Sequence, residues 1–333
     1  MKTSLKASLS SKKTLLILSV ICIVFGGVCL VLGGLGEFLL PVVIATLAAI
    51  YVFDKKRTYA IITSGILMAF NLAGILFEIN ISFFGLAAIV SAGIIAIAYY
   101  RGQSKSDAAF LSTIIYAFLS VCGMLLLAMF LIKNFDFNAA MDFWDNIYDS
   151  SYEAVREMLD KYLTLAKEYY TEAEVNYARE VSYLLLDISF SCVISYIVIA
   201  AFAVIGLSMK LFGFIVKKCA EDNSEITKWR FATSNVYAYF YLALSLATVF
   251  VSSVDNIFGI AVANLYFIFL IVYAYVGFTS ILSLLKQKLR PILAYIIVIA
   301  ACLLMLSLSP QILAFVGVFS TFTANRRLKE QND

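Results

Sequence analysis

Residues 115–132 read IYAFLSVCGMLLLAMFLI, an apolar run long enough to cross a lipid bilayer as a helix. The run lacks the alternation of polar and apolar residues that a membrane barrel strand requires. Of the whole chain, 62% of residues are hydrophobic and only 14% are charged. A soluble domain of this size carries a much larger charged fraction. The sequence therefore predicts an all-α fold, a polytopic transmembrane helix bundle.

Similar runs recur along the chain and predict about ten membrane segments. They lie near residues 14–33, 37–53, 59–77, 81–100, 109–132, 181–208, 231–252, 257–284, 291–308 and 311–323. The runs at 37–53 and 311–323 are short, and each is compatible with a full crossing or with a re-entrant hairpin. The first run follows a basic N-terminus and is interpreted as a membrane anchor, because it is longer than the apolar part of a cleaved signal peptide.

Basic residues predict the orientation of these runs. If each run crosses once, all but five of the 25 Lys and Arg residues fall on the side of the N-terminus. The five exceptions are Lys133, Arg156, Lys161, Lys167 and Arg179. By the positive-inside rule, the chain is a multi-pass protein of the cell membrane with both termini in the cytoplasm.

One long polar segment divides the apolar runs into two groups. We predict N-terminal transmembrane helices at 1–133, an external acidic loop at 134–180, and C-terminal transmembrane helices with a cytoplasmic tail at 181–333. The external loop holds eleven Asp and Glu residues against four Lys and Arg residues. From Tyr148 onward its apolar residues recur at alternating spacings of four and three, which predicts a long external amphipathic helical insertion.

The amphipathic insertion has two interpretations: a face or lid that meets an external partner, or a helix that lies against its own bundle. We expect 144–177 to form one helix or a helix with a single break. Its apolar stripe should be less exposed than the acidic positions Asp145, Asp160 and Glu168. The stripe comprises Tyr148, Val155, Leu159, Tyr162 and Tyr169.

Polar residues within the apolar runs form stripes at helical spacing. In the sixth run, where residues 181–200 read VSYLLLDISFSCVISYIVIA, Asp187 and Ser191 are one turn apart. Lipid offers polar side chains no partner, so the stripes are expected to face the bundle interior. The candidate ligand-binding residues are Asp187, Ser191, Asn71, Glu78, Asn264, Tyr241 and Ser245.

Asp187 is the one acid well inside an apolar run, and two interpretations of it stay open. It lies about 10 Å below the external end of its run, where a carboxylate can serve a ligand or proton site that opens outward. Alternatively, Tyr and Ser hydroxyls of neighbouring helices enclose the carboxylate and it serves packing.

Several kinds of chemistry are absent from the sequence. The chain has no His, and therefore no histidine base or histidine metal ligand. No nucleotide-binding or hydrolase motif occurs, and the six Cys show no disulfide or metal spacing. We therefore predict a protein that is not an enzyme, with no catalytic residues, cofactor or metal site and no nucleic-acid partner.

Three stretches resemble a known family. They are LPVVIATLAAIYVFDKKR at 40–57, KWRF at 228–231 and LAFVGVFSTFTANRRLK at 313–329. Together with the amphipathic segment, they resemble the YybS-like family of uncharacterised polytopic bacterial membrane proteins. That family has no established activity, so the resemblance implies a membrane bundle but no site residues. The helical part is also similar, at the level of fold, to substrate-binding subunits of energy-coupling-factor transporters.

Two functions follow as hypotheses. The first is a small-solute binding or transport component with an outward-facing polar cavity, energised by separate subunits. The alternative is a non-transporting scaffold that recruits envelope partners through its external helix and cytoplasmic loops. Internal polar stripes favour the first, because a scaffold does not need them. The expected partners are the lipid bilayer, a small-molecule substrate, and separate energising or envelope subunits.

Overall fold

The computed structural model describes residues 12–77, 83–103, 105–133, 135–219, 234–250, 257–290, 292–293, 295–297, 299–301 and 310–330. All regular structure in these residues is helical, which confirms the all-α prediction. The chain forms two compact units. The first comprises Met1–Val155 and Ala200–Phe231, and the second comprises Arg156–Ile199 and Ala232–Asp333.

The helices follow one another with short connections. They are α1 (Lys12–Leu32), a 3-10 helix (Gly33–Leu39), α2 (Leu40–Phe53), α3 (Thr58–Leu76), α4 (Phe84–Arg101), α5 (Lys105–Leu131), α6 (Phe137–Ala166), α7 (Glu172–Ser191), α8 (Val193–Cys219), α9 (Asn235–Phe250), α10 (Ile257–Lys288) and α11 (Pro310–Glu330).

Six of the described helices are long and apolar enough to cross a membrane. These spans are Lys12–Leu32, Thr58–Leu76, Phe84–Arg101, Asp107–Leu131, Val193–Cys219 and Phe258–Lys288. Two further apolar helices, Leu40–Phe53 and Pro310–Ala324, are shorter. They fall on two of the predicted runs, 37–53 and 311–323. The predicted count of ten is therefore not confirmed: six of the predicted runs overlap these spans, and most of the 291–308 run lies outside the described residues.

The prediction of one continuous sixth membrane run at 181–208 is wrong. Helix α7 ends at Ser191 and α8 begins at Val193, so the helix is interrupted at Cys192. The helix long and apolar enough to cross a membrane is α8, which continues to Cys219, 11 residues beyond the end of the predicted run. Asp187 consequently belongs to the amphipathic α7 and not to a span.

In the first unit, α2 lies between α1, α3 and α4. All of its residues except Val42 and Tyr51 are buried. This burial follows from its sequence, which is apolar on every face and therefore leaves no polar side for water. Pro41 occupies the first turn, where a missing backbone N–H costs nothing. With 14 residues, α2 is about 21 Å long, shorter than a hydrocarbon core of about 30 Å.

In the second unit, α10 and α11 cross at two glycines. A Cβ placed on Gly277 would overlap the carbonyl oxygen of Leu313, and one on Gly317 would overlap the carbonyl oxygen of Tyr273. The backbones therefore touch directly, the arrangement that small residues permit between membrane helices. Next to the crossing, the hydroxyls of Ser280 and Ser320 are 2.5 Å apart.

Helices α6 and α7 cover the predicted 144–177 segment with one break at residues 167–171, which confirms the predicted helix with a single break. The exposure prediction is wrong for part of the stripe, because Tyr162 is 65% exposed and Tyr169 is 81% exposed. Asp160 is less exposed than either, since its carboxylate accepts a hydrogen bond from the Tyr183 hydroxyl and lies 3.4 Å from Arg179 Nε. A polar cluster thus joins α6 to α7, and part of the tyrosine stripe is left on the surface.

Candidate binding slot

Asn264, a predicted ligand residue, forms hydrogen bonds with the end of α7 and the start of α8. Its Nδ2 donates to the Ser191 carbonyl at 2.7 Å and to the Ile260 carbonyl at 2.9 Å. Its Oδ1 accepts from Ser195 N at 3.0 Å and from Ser195 Oγ at 2.7 Å. Both amide hydrogens and both oxygen lone pairs are therefore used. Asn264 satisfies the last carbonyl of α7 and an N–H of the first turn of α8, which leaves nothing for a ligand.

Asn71 has a comparable role in the first unit. Its Oδ1 accepts from Gly85 N at 2.8 Å and from Leu86 N at 3.2 Å. These N–H groups belong to the first turn of α4, where backbone N–H groups have no acceptor within their own helix. Gly85 is required at this contact, because a Cβ would meet the Leu67 carbonyl oxygen at 2.6 Å. Asn71 thus caps a neighbouring helix, and this amide oxygen is saturated.

The remaining predicted residues are distributed over several places. Tyr241 is fully buried, stacks on the ring of Tyr266 at a centroid distance of 5.9 Å, and contacts the tilted ring of Tyr273 at 5.3 Å. Ser245 donates to the Tyr241 carbonyl within α9. Asp187 is exposed on α7, and Glu78 lies outside the described residues. Within the second unit, the structure joins Ser191 to Asn264 and Ser245 to Tyr241.

The first unit contains a slot that the sequence did not reveal. It lies between α3 and α4 over the last turn of α2 and has a volume of about 540 Å³. We call it the α3–α4 slot. Its lining residues are Tyr51, Arg57, Ala60, Ile61, Ser64, Gly93, Ala96, Ile97 and Tyr100. Its volume lies within the range of about 300 to 1,000 Å³ that small-molecule sites occupy.

Two residues define the mouth of the slot, at the ends of α3 and α4. Arg57 caps α3 with a left-handed backbone, φ 57°, which costs a non-glycine residue about 1 to 2 kcal/mol. Tyr100 lies near the end of α4, and its hydroxyl donates to the Val52 carbonyl. The Asp54 side chain is buried beside the mouth, where its Oδ2 accepts from Ala60 N at 3.0 Å. The mouth is therefore rigid and basic.

The inner end of the slot lies about two helical turns from the mouth, at Ser64 on α3 and Gly93 on α4. Ser64 Oγ donates to the Ala60 carbonyl at 2.7 Å, so the Tyr51 hydroxyl is the donor in its 2.8 Å contact with Ser64. Nothing lies within 4 Å of the position that a Cβ on Gly93 would occupy. The missing side chain of Gly93 keeps this end open.

Part of the slot was visible in the sequence, although its meaning was not. The DKKR loop at 54–57 identifies the mouth as a basic end, and the small residues Ala88, Ala92 and Ala96 of α4 are buried. Gly93 and Tyr100 gave no signal of their own. Only their position beside Ser64 and Arg57, on another helix, makes them lining residues.

The helical fold and its six apolar spans define an integral membrane protein. The chain belongs to the family of predicted membrane proteins known as DUF2232, whose sequence model matches residues 14–320. No curated protein and no solved structure matches the chain significantly.

Proposed function

We propose that the protein is a membrane component that binds a small solute in the α3–α4 slot, as part of solute binding or transport. The observation that supports this function is the slot itself, with a basic mouth at Arg57 and an open inner end at Gly93. A scaffold has no need of an open space two helical turns deep. By contrast, the asparagines that the sequence assigned to the site are used in closing helix ends.

Gly93 provides a direct test of solute binding. In Gly93→Leu the new side chain extends into the slot, and its Cβ has no neighbouring atom within 4 Å. Gly65→Leu on α3 is the matched control, because its Cβ also has free space but Gly65 does not line the slot. The purified protein is screened by thermal shift against anionic, cationic, zwitterionic and neutral solutes. We expect one class to raise the Tm of the wild type and of Gly65→Leu but not of Gly93→Leu. A screen without such a solute contradicts the proposal.

In this proposal the mouth of the slot faces the cytoplasm and the α6–α7 hairpin lies outside the cell, because basic residues collect on the cytoplasmic side of membrane proteins. This orientation predicts opposite labelling of single cysteines placed at Asn146 and Asn223 in a Cys-free background. An impermeant reagent added to intact cells should modify the first and spare the second. Equal labelling would contradict the orientation. The mouth then differs from the outward-facing cavity that the sequence predicts around Asp187, which stays a prediction that Asp187→Asn tests at normal protein abundance.

Energy for transport would come from separate subunits, because the chain has no nucleotide-binding motif. The likeness to the YybS-like family and to energy-coupling-factor subunits is part of this proposal. Reconstitution into proteoliposomes with a solute found in the thermal screen tests whether the protein alone moves it. Accumulation by the protein alone would contradict the need for further subunits.

The scaffold function is the second candidate, and an exposed apolar stripe on α6 and on the turn that follows it favours this function. Met158, Tyr162, Leu165 and Tyr169 are 51%, 65%, 61% and 81% exposed. A photo-reactive residue at Tyr162 should crosslink a specific envelope protein if this stripe recruits one. The same residue at Asp145 is the control. If both positions crosslink the same proteins equally, the crosslinks arise from random proximity and not from docking on the stripe.

A further inference from the structure

We infer that the ligand of the α3–α4 slot is an anionic amphiphile, with its charged head group at Arg57 and its hydrocarbon chain between α3 and α4. The inference rests on the proposed function, since it names the ligand class of the same slot. Three properties of the slot carry it: the sign of charge at the mouth, the apolar walls, and the absence of spare donors at the inner end.

The accessible charges at the mouth are basic. In residues 54–57 and 100–103, Lys55, Lys56, Arg57 and Arg101 are exposed, whereas Asp54 is only 6% exposed and its carboxylate accepts a backbone hydrogen bond. A guanidinium holds a phosphate or carboxylate through two parallel hydrogen bonds. The mouth therefore favours an anionic head group.

Below the mouth, the walls are hydrocarbon. Ala60 and Ile61 of α3 face Ala96 and Ile97 of α4, and Gly93 leaves room between them. Burying an alkyl chain against such walls is favourable, whereas burying an unpaired polar group there is unfavourable. The portion of the ligand that enters the slot is therefore an alkyl, acyl or prenyl chain.

The inner end adds no competing polar site. The Ser64 hydroxyl hydrogen is used on the Ala60 carbonyl, and the Tyr51 hydroxyl hydrogen is used on Ser64. A polar ligand group at this depth would find no donor in the pair. Charge recognition is thus confined to one end of the slot and chain recognition to the other, which is the division that an amphiphile matches.

Such a ligand has two possible sources: an anionic phospholipid of the bilayer and a diffusible single-chain anion. The binding experiment uses four probes on the purified full chain in neutral detergent. They are dioctanoyl phosphatidylglycerol, dioctanoyl phosphatidylcholine, octyl phosphate and inorganic phosphate. Apparent affinities come from thermal shift and from native mass spectrometry of the protein with each probe.

We expect phosphatidylglycerol to bind more tightly than phosphatidylcholine, and inorganic phosphate not to bind. Arg57→Gln should remove most of this preference, on the order of a tenfold loss for the anionic probe. Arg290→Gln, at an exposed Arg of the second unit that does not line the slot, is the matched charge control. Gly93→Leu should abolish binding of both lipids, while Gly65→Leu behaves as the wild type. Because Arg57 is exposed, its variant tests the inference even if Gly93→Leu folds poorly.

The probes also separate the sources. Binding of octyl phosphate as tight as that of phosphatidylglycerol supports a diffusible single-chain anion, and binding of the phospholipid alone supports a bilayer lipid. Equal affinity for the two lipids, or an unchanged preference in Arg57→Gln, overturns the inference. Binding of inorganic phosphate alone also overturns it, because the chain would then be unnecessary.

Failure of this inference is distinguishable from failure of the proposed function. A neutral or cationic solute whose binding is lost only in Gly93→Leu leaves solute binding in place and refutes the anionic amphiphile. If no probe or solute shows a Gly93-dependent shift, both are refuted.

Discussion

The slot in the first unit and the α10–α11 crossing in the second are both built around glycines, yet the glycines do opposite things. At Gly93 nothing lies within 4 Å of the place that a Cβ methyl would take, whereas at Gly277 and Gly317 such a methyl would overlap the backbone of the other helix. One glycine leaves space that a ligand can fill, and the other two remove space so that helices can touch. The same residue type therefore indicates either binding or packing, and only its neighbours decide which.

The largest effect that this comparison predicts is at the crossing. Gly277→Ala or Gly317→Ala forces α10 and α11 apart, because the overlapping atoms are backbone carbonyls that cannot rotate away. We expect a loss on the order of 3 kcal/mol in the free energy of unfolding and lower abundance in the membrane. Titration with SDS measures the loss. Gly206→Ala on α8, where the added methyl has free space, is the control, and equal losses would refute the distinction.

A second prediction concerns Asn264 in the second unit, where its side chain bridges the ends of α7 and α8. Asn264→Leu leaves Ser195 N and the Ser191 carbonyl without the partner that now satisfies them. Each buried unsatisfied group costs at least about 1 kcal/mol, so for these two groups we expect a total loss of about 2 kcal/mol. Hydrogen exchange of the first turn of α8 should rise with it. Unchanged exchange there would show that water replaces the amide.

The inner end of the slot should be less sensitive. Tyr51→Phe removes one hydrogen bond, while Ser64 keeps its bond to the Ala60 carbonyl. We expect a loss of about 0.5 to 1 kcal/mol, as for other hydrogen bonds between membrane helices. A double-mutant cycle with Ser64→Ala isolates the pair. A coupling energy near zero would mean that the contact adds no stability.

Gly93→Ala should increase the stability of the protein, whereas the preceding substitutions should decrease it. The methyl enters open space and removes the entropic cost of glycine within a helix, so we expect a gain of about 0.5 to 1 kcal/mol. The measurement is the same SDS titration used for Gly277→Ala. A loss at Gly93 similar to the loss at Gly277 would show that the slot collapses in the protein and would remove the basis of the comparison.

The smallest effect is a pH dependence at the start of α7, away from both glycine sites. Glu174 accepts from Thr171 N at 2.9 Å and from Thr171 Oγ1 at 2.7 Å, and these hydrogen bonds lower the pKa of its carboxyl. The capping contribution is therefore complete above the unfolded pKa and is lost as pH falls through the folded pKa. After correction for the intrinsic pH dependence of amide exchange, the exchange rate at residues 172–175 should rise in the wild type as the pH is lowered. In Glu174→Gln the corrected rate should stay the same over that pH range.

Sequence periodicity predicted the fold well where one helix meets lipid or water along its length. Apolar runs located five of the six spans closely, and the 4,3 spacing predicted helix with a single break over residues 144–177, where α6 and α7 lie. It failed at Cys192, because the break depends on Asn264, a residue far along the chain that supplies the missing hydrogen bonds. A local pattern holds no information about such a partner.

The candidate site was less predictable for the same reason. Asn71 and Asn264 were correctly recognised as buried polar residues, but a buried amide can meet a ligand or the end of another helix. Only the geometry shows that both amides close helix ends. The slot depends on the absence of a side chain at Gly93 and on the pairing of α3 with α4, neither of which leaves a periodic signal.

The burial of α2 has a consequence for how the protein is made. Synthesis delivers α2 to the membrane before α3 and α4 exist, yet in the finished unit those two helices and α1 surround it. Its apolar side chains must therefore contact lipid or the insertion machinery first and exchange those contacts for protein later. Since the walls of the slot are α3 and α4, the slot cannot form until this exchange is complete, and it is therefore a product of helix packing that follows insertion.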